Sequence, residues 1–269
     1  MNGQRFSWRD VVTALLCGLV VLSVALVKIS HHRELARAET CSDNLKSIGL
    51  AIHNYHSAFK LLPINSGGTS GPPRARAWQS NADRLSVWIG LLPFMQQQAL
   101  WEKISNPYRT STQTFPSMGP VPWYDADIYQ PWSERPSRLV CPNDRGSTDH
   151  PLAASYVLNY GDAIDSVGTP EPQDRLAIMI GRVSKRGMFM SKRAMKFRDI
   201  LDGLANTLMI SESKIAGDKV AKDVSGLVLN PSLCLAAHKD PKMKFWPIGR
   251  GAIWTDGIYR SAAFQTILP

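Results

Sequence analysis

The longest uninterrupted apolar stretch of the chain lies near the N-terminus. Residues 11–27 have the sequence VVTALLCGLVVLSVALV without one charged side chain, and Ile29 extends the stretch. A helix rises about 1.5 Å per residue, so this segment spans roughly 26–29 Å, close to the thickness of a bilayer's hydrocarbon core. The pattern predicts a transmembrane helix over residues 11–29, preceded by a short cytoplasmic tail over residues 1–10.

A cleaved signal peptide is the main alternative for this segment. The apolar region of a signal peptide is normally about 7–15 residues long and ends at a small-x-small cleavage site. Here the apolar region is longer and continues into residues 28–39, KISHHRELARAE, which are charged and favour helix. We therefore favour a single unbroken helix that stays in the membrane.

The charges that flank the span do not decide its orientation. Arg5 and Arg9 precede it, whereas Lys28, Arg33 and Arg37 follow it, so the positive-inside rule gives no clear answer. The short N-terminal tail and the long C-terminal remainder permit an arrangement with the N-terminus inside.

Beyond Cys41 the apolar positions recur in alternating steps of three and four residues. This spacing places them on one stripe of an α-helix. The positions are Leu45, Ile48, Ile52, Tyr55, Phe59 and Leu62. Pro63 and the sequence SGG at residues 66–68 then end the helical pattern. The sequence predicts that residues 30–62 extend the transmembrane helix and lay one apolar face against the rest of the protein.

Residues 63–269 alternate short apolar runs with polar stretches rich in Gly and Pro. Strand-like runs occupy residues 139–142, 155–160, 187–190 and 207–212. Residues 85–103 begin as a strand and then become helical, and residues 252–257 are typical of a hairpin that turns at Asp-Gly. Short strands after one long helix predict an α+β fold, in which the helix packs on a small, mainly antiparallel sheet with long irregular loops.

Composition and charge narrow the range of partners. The chain has 269 residues, of which 44% are hydrophobic and 20% charged, with a formal net charge of +9 and a pI near 9.5. Its Lys and Arg residues are scattered, and the densest basic cluster, residues 185–198, is interrupted by the apolar sequence GMFM at residues 187–190. We therefore expect no nucleic-acid partner, and expect instead a basic solvated surface beside anionic lipid or polysaccharide.

Residues 41–56 have the sequence CSDNLKSIGLAIHNYH and resemble the signature that follows the membrane helix in a large bacterial family of prepilin-like proteins. Members of that family carry a prepilin-type cleavage/methylation helix and an extracytoplasmic domain of unknown function. Further similar segments follow in the family's order, at Trp88 with 91–94 and 97–100, then 141–144, 155–156 with 159–162, 198–200 with 202–203, 206–212, 254–257 and 264–269. The resemblance covers nearly the whole chain.

The resemblance implies a pseudopilin-like protein of the inner, cytoplasmic membrane, comparable to those of type II secretion. The chain would cross the membrane once with its N-terminus inside, and residues 63–269 would form a pseudopilin-like head in the extracytoplasmic or periplasmic space. The implied partners are the lipid bilayer and other pseudopilin-like subunits, and the implied role is structural or interactive. Many family members continue into a further hairpin, whereas this sequence stops at Pro269, which implies a shortened head.

The prepilin processing site is degenerate in this chain. Phe6 and Asp10 keep the offset between the first aromatic residue and the acid of a prepilin, but Arg5 replaces the expected Gly and Arg9 enters the apolar region. The alternative function is therefore a membrane-tethered extracytoplasmic binding protein, which is not processed by prepilin peptidase and does not assemble.

Two sets of residues are candidates for metal binding. His53 and His56 stand at i and i+3 on the helix, where two imidazoles can reach one ion, but two solvated histidines explain the pattern equally well. Asp199, Asp202 and Asn206 offer oxygens that suit Ca²⁺, although their spacing is not that of an EF-hand. Helix capping and a turn explain these three residues better, so we predict no cofactor and keep Ca²⁺ as the one alternative.

The cysteines predict one disulfide. Cys17 falls inside the predicted span, whereas Cys41, Cys141 and Cys234 would face an oxidising compartment. One disulfide among these three leaves one thiol, and the sequence does not show which pair is joined.

The sequence does not indicate an active site. Residues 211–213 (SES) and Asp144 have no positioned base partner in the sequence, and it contains no glycine-rich phosphate loop and no CxxC pair. We therefore predict that the protein is not an enzyme. An extracytoplasmic hydrolase that uses Asp144, Asp199 or Asp256 is the third hypothesis.

Overall fold

The computed structural model of the chain describes residues 8–144, 146–161, 187–190, 192–215, 251–258 and 263–264. Its helices are α1 (Trp8–Phe59), α2 (Val87–Leu91), α3 (Gln98–Ser105) and α4 (Gly146–Asp149). Its strands are β1 (Tyr108–Arg109), β2 (Thr114–Phe115), β3 (Tyr156–Asn159), β4 (Ile210–Glu212) and β5 (Ala263–Phe264). Short 3-10 helices lie at Leu92–Met95, Gln130–Ser133, Ser137–Leu139 and Phe197–Asp199. The predicted α+β class is confirmed.

Helix α1 runs without interruption from Trp8 to Phe59 and is 52 residues long, which corresponds to roughly 80 Å. It contains an apolar window with a mean hydropathy of 2.5, none of which is buried inside the protein. By length and composition this helix can cross a membrane, a property that it shares with signal sequences. The apolar and amphipathic segments are thus one continuous helix, as the sequence predicted.

The amphipathic part of α1 packs on the rest of the protein through the predicted stripe. Ile48 and Ile52 are fully buried, and Leu45 and Tyr55 pack against the core from its edge. Phe59 departs from the prediction, because its side chain remains 56% exposed. The stripe therefore anchors the head along the middle of the amphipathic segment and not along its whole length.

The sequence predicted that the helix extends to residue 62, but α1 ends at Phe59. Lys60 adopts a left-handed backbone conformation with a φ of 59°, and its N–H donates to the carbonyl oxygen of His56 at 2.8 Å. A left-handed residue directly after the last helical turn is a common way to end a helix. Leu62 is buried all the same, because the chain bends back toward the core.

Strand β3 lies at the centre of a three-stranded sheet of order β4-β3-β5. β4 is antiparallel to β3, with Tyr156 opposite Glu212 and Leu158 opposite Ile210, and β5 is parallel to β3. Every residue of β3 is buried. Strands β1 and β2 form a separate antiparallel hairpin. The predicted strands over residues 155–160 and 207–212 are confirmed as β3 and β4.

Other predicted strands take different conformations. Residues 87–91 form helix α2, because a short apolar run does not distinguish a strand from a buried helix. Leu139 ends the 3-10 helix Ser137–Leu139, and residues 140–142 lead into a turn. Within residues 187–190 only Met190 makes an isolated bridge. The sequence predicts a hairpin turn at Asp256, but this residue instead pairs with Leu85 in an isolated antiparallel bridge.

The core joins aromatic side chains that are far apart in sequence. Trp88, Trp132 and Trp254 are at most 2% exposed. The indole N–H of Trp254 donates to the carbonyl oxygen of Trp132 at 3.1 Å, and that of Trp132 donates to Val121 at 3.1 Å. Buried indoles need such acceptors, so these two hydrogen bonds fix the mutual position of three loop segments.

Two buried asparagines hold the irregular loops together. Asn65 donates through its side-chain amide to the hydroxyl of Tyr160 at 2.6 Å and to the carbonyl oxygen of Gly257 at 2.8 Å. Asn81 donates to the carbonyl oxygens of residues 118–119 at 2.6 and 2.8 Å. Both asparagines are fully buried, so their amides provide backbone partners where no regular strand does.

Candidate functional site

The junction between α1 and the head contains a disulfide. Cys41 of α1 is bonded to Cys141 across 100 residues of sequence, with a Cα–Cα distance of 4.8 Å, and both cysteines are buried. The hydroxyl of Tyr156 in β3 donates to the carbonyl oxygen of Cys41 at 3.2 Å, and burial raises the pKa of Tyr156 to about 12. The bond joins two of the three candidate cysteines, and the third, Cys234, lies outside the described residues.

Asp144 organises the loop that follows Cys141. Its carboxylate accepts hydrogen bonds from the N–H of Ile215 at 2.7 Å, from the N–H of Gly146 at 3.0 Å and from the hydroxyl of Ser155 at 3.4 Å. The carboxylate is buried among donors that belong mainly to the backbone. This arrangement is that of a loop-organising acid.

Glu212 of β4 lies beside the disulfide. Its carboxylate oxygen and the sulfurs of Cys41 and Cys141 lie within 4.8 Å of one another, and they are the one such group of His, Cys, Asp or Glu side chains in the described part of the chain. Because both sulfurs form the disulfide, neither is available as a thiolate ligand. Glu212 is exposed as a residue, but partial desolvation of its carboxylate, and secondarily the negative charge of Asp144, raises its pKa above the ordinary value.

The carboxylate of Asp256 forms a two-point ion pair with the guanidinium of Arg84. The distances are 2.7 Å from Nη2 to Oδ2 and 3.2 Å from Nε to Oδ1, and the Asp256 side chain is 1% exposed. The Arg84 guanidinium also lies over the ring of Trp123, 4.1 Å from its centroid. The pair joins the two segments that form the Leu85–Asp256 bridge, which makes Asp256 a structural acid.

The predicted histidine pair contacts an aromatic ring. The ring of Phe197 lies 4.1 Å from that of His56 and 5.0 Å from that of His53, measured between centroids. These contacts hold the 3-10 helix Phe197–Asp199 against α1. The two histidines thus help to attach a loop to the helix.

The candidate calcium ligands form local hydrogen bonds. The carboxylate of Asp199 accepts from the N–H of Lys196 at 2.9 Å, and the side-chain amide of Asn206 donates to the carbonyl oxygen of Asp202 at 3.1 Å. Gly203 has a φ of 84°, as a turn requires. These are the capping and turn roles that the sequence favoured for Asp199, Asp202 and Asn206.

The remaining predicted site residues are the processing residues Phe6 and Asp10 and the first serine of the sequence SES at residues 211–213. Asp10 lies in the first turns of α1, and Phe6 lies outside the described residues. The hydroxyl of Ser211 donates to the carbonyl oxygen of Glu212 at 3.2 Å. Ser211 thus has a local hydrogen-bond partner within its own strand.

Two cavities border the β1–β2 hairpin, and no motif or spacing in the sequence indicates either of them. The first has a volume of about 280 Å³ and is lined by Pro72, Trp78, Gln79, Pro107, Thr114, Phe115 and Pro116. The second has a volume of about 410 Å³ and is lined by Tyr108, Arg109, Thr110, Ser111, Thr112, Asp127, Ile128 and Gln130. The first is mainly apolar and the second mainly polar. Both cavities are built from short loops whose proximity depends on the tertiary fold.

Comparison with known proteins identifies the family of the chain. No curated protein and no solved structure matches the sequence significantly. A sequence model of the family described as "Protein of unknown function (DUF1559)" matches residues 30–266. The match begins just after the apolar segment and includes the amphipathic part of α1 together with the head. The chain therefore belongs to this family, the DUF1559 proteins of unknown function.

Proposed function

We propose that this chain is a membrane-anchored, pseudopilin-like structural or interaction protein of the inner, cytoplasmic membrane. In this proposal residues 11–29 cross the bilayer once, residues 1–10 lie inside and residues 63–269 form an extracytoplasmic head. The observation that carries it is the continuity of α1, which passes from an apolar segment of bilayer length directly into the helix on which the head packs.

The disulfide supports an extracytoplasmic head. Structural disulfides persist in oxidising compartments and are rare in the cytosol. The Cys41–Cys141 bond lies on the C-terminal side of the apolar segment, which is the side that the proposal places outside. A location of the N-terminal tail inside the cell follows from a single crossing.

The exposed face of α1 supports a role in assembly. Leu35 and Leu50 are 53% and 62% exposed and lie in the part of α1 that follows the apolar segment. Such side chains are available for packing against a neighbouring helix. Together with the prepilin-like signature at residues 41–56, they favour other pseudopilin-like subunits as partners.

A second candidate function is a membrane-tethered extracytoplasmic binding protein that is not processed and does not assemble. Arg5 and Arg9 favour it, because they place charge where a prepilin has Gly and an apolar residue. The polar cavity beside the β1–β2 hairpin also favours it.

A catalytic role is not part of either proposal. Asp144 organises a loop through backbone N–H groups, and Asp256 is engaged by Arg84. Carboxylates that are held in this way support a structural interpretation of both residues.

Mass spectrometry of the mature N-terminus tests the two functions against each other. A chain that begins with N-methylated Phe6 supports processing and assembly, whereas a chain that retains Met1 supports the unprocessed tether. A chain that begins after residue 29 would identify the apolar segment as a cleaved signal and contradict both.

A further inference from the structure

We propose that the surface formed by the two cavities at the β1–β2 hairpin, here called the hairpin surface, binds a neutral oligosaccharide. This inference goes beyond the proposed function, since it assigns a ligand class to the head. It does not depend on whether the N-terminus is processed or the chain assembles.

The two cavities are neighbours across one strand ladder. Tyr108 of the polar cavity pairs with Phe115 of the apolar cavity, and Arg109 pairs with Thr114 in the same way. Paired residues of an antiparallel ladder have Cα atoms about 4.5–5.5 Å apart. One extended ligand can therefore contact both cavities at once.

The polar cavity offers groups that suit a ligand with several hydroxyls. Arg109 and Asp127 are exposed, and neither side chain has a partner within the described ranges of the chain. A carboxylate accepts and a guanidinium donates hydrogen bonds in pairs, so each can bind two adjacent hydroxyls. Ser111 and Thr112 add hydroxyls to the lining. The single positive and single negative charge offset each other, which favours a ligand without net charge.

The apolar cavity offers the complementary surface. Trp78 lines it together with three prolines and the fully buried Phe115, so Trp78 provides the accessible aromatic surface, and only Gln79 and Thr114 add polar groups. Sugar rings present apolar C–H faces and polar hydroxyl edges, and the flat ring of a tryptophan suits such a face. An aromatic cavity next to a hydroxyl-binding cavity therefore fits consecutive rings of one sugar chain. A free amino acid is too small to fill both cavities.

The walls of the polar cavity are held in place by the protein itself. The hydroxyl of Thr110 accepts from the N–H of Gln113 at 3.1 Å, and the side-chain amide of Gln113 donates to the hydroxyl of Tyr124 at 3.0 Å. On the other wall, the carboxylate of Asp125 accepts from the N–H of Asp127 at 2.9 Å. A surface that is ordered before binding loses less conformational entropy when the ligand arrives.

Calorimetric titration of the full chain in lipid nanodiscs tests the inference. The probes are the neutral tetrasaccharides cellotetraose, tetra-N-acetylchitotetraose and maltotetraose, with glucose and glycine as controls of size and chemistry. We expect at least one tetrasaccharide to bind more tightly than glucose, and glycine not to bind. Asp127→Asn and Trp78→Ala should each weaken binding by about tenfold or more, because one removes a charged acceptor and the other a stacking surface.

Two matched variants separate a binding role from a general effect. Asp43→Asn removes an exposed carboxylate of α1, and Trp123→Ala removes an exposed tryptophan outside both cavities. Both should leave the affinity unchanged, and Asp127→Asn should leave the midpoint of thermal unfolding unchanged because Asp127 is exposed. The proposal is overturned if no tetrasaccharide binds, if glycine competes for the surface, or if the cavity variants bind like these controls.

Discussion

Cys41 and Cys141 form a buried disulfide that joins the amphipathic part of α1 to the loop preceding α4. The apolar segment lies at the other end of the same helix. The disulfide therefore links the head covalently to the helix that carries the proposed membrane span. Ile48 and Ile52 of the same helix are buried in the hydrophobic core. The disulfide and this packing therefore both hold the head on α1.

Removal of this disulfide should lower stability substantially. The double variant Cys41→Ser/Cys141→Ser should lose about 2–5 kcal/mol of unfolding free energy, because the bond closes a loop of 100 residues. Guanidinium denaturation of the full chain measures the loss. Cys17→Ser is the control and should leave the free energy of unfolding unchanged, since Cys17 is exposed on the apolar segment. Equal stability of the double variant and the parent would contradict the role given to the bond.

The Arg84–Asp256 pair should contribute far more to stability than a surface pair. Asp256→Asn should cost about 3 kcal/mol, because it removes the charge of a buried carboxylate that binds the partly exposed Arg84 at a bridge between segments. Asp83→Asn breaks the adjacent exposed pair with Lys192 and should cost less than about 1 kcal/mol. Thermal unfolding of both variants provides the comparison, and equal losses would show that burial of Asp256 has no special effect.

Two glycines should respond to alanine in opposite ways. A Cβ on Gly257 would lie 2.5 Å from the carbonyl oxygen of Leu85 and 2.6 Å from the nitrogen of Ser66. Gly257→Ala should therefore destabilise the fold by about 3 kcal/mol or more, as severe overpacking against backbone does.

Gly49 is the matched position in α1. A Cβ there would meet only Met209 Cε, at an ordinary distance of 3.7 Å. Gly49→Ala should raise the free energy of unfolding by up to about 1 kcal/mol, because alanine favours helix. Denaturation curves that show both variants shifted in the same direction would be inconsistent with the described packing.

Glu212 should make stability depend on pH. Its pKa is raised in the fold, by burial first and by Asp144 second, so the folded state favours the protonated carboxyl. The contribution of Glu212 to stability is fully present below its pKa in the unfolded state, near 4.5. It is lost as the pH rises through the higher pKa of the folded state. Glu212→Gln should therefore stabilise the fold at pH 7, and the gain should vanish in acid.

A pH series of denaturation curves measures this effect. Glu134 is the control, because it lies on the surface and pairs with Lys103 at 2.6 Å. Glu134→Gln should give no gain at pH 7. A Glu212→Gln gain that persists undiminished at pH 3 would show that it does not come from the ionisation of Glu212.

Local patterns predicted the long helix well. The steps between Leu45, Ile48, Ile52 and Tyr55 match the helical period, and burial of one face follows directly from that period. The pattern overestimated the length of the helix, because a left-handed Lys60 ends α1 before the stripe reaches Leu62. The end of a helix depends on the backbone conformation of one residue, which the spacing of apolar residues does not predict.

Contacts between distant residues could not be predicted from the sequence. Asn65 reaches Gly257 and Arg84 reaches Asp256, and nothing local to those residues indicates the partner. The pairing of the cysteines could not be predicted either, because three cysteines were available and only the fold brings two of them together.

Protease treatment of intact spheroplasts shows directly whether the head is exported and held by a membrane helix. We expect the protein to stay with the membrane after carbonate extraction, and we expect protease added outside to remove residues 63–269 while a membrane-protected peptide containing residues 11–29 remains. A full-length chain that is released as a soluble protein, or a head that is protected from external protease, would contradict the claim that α1 is both the membrane span and the helical support of an exported head.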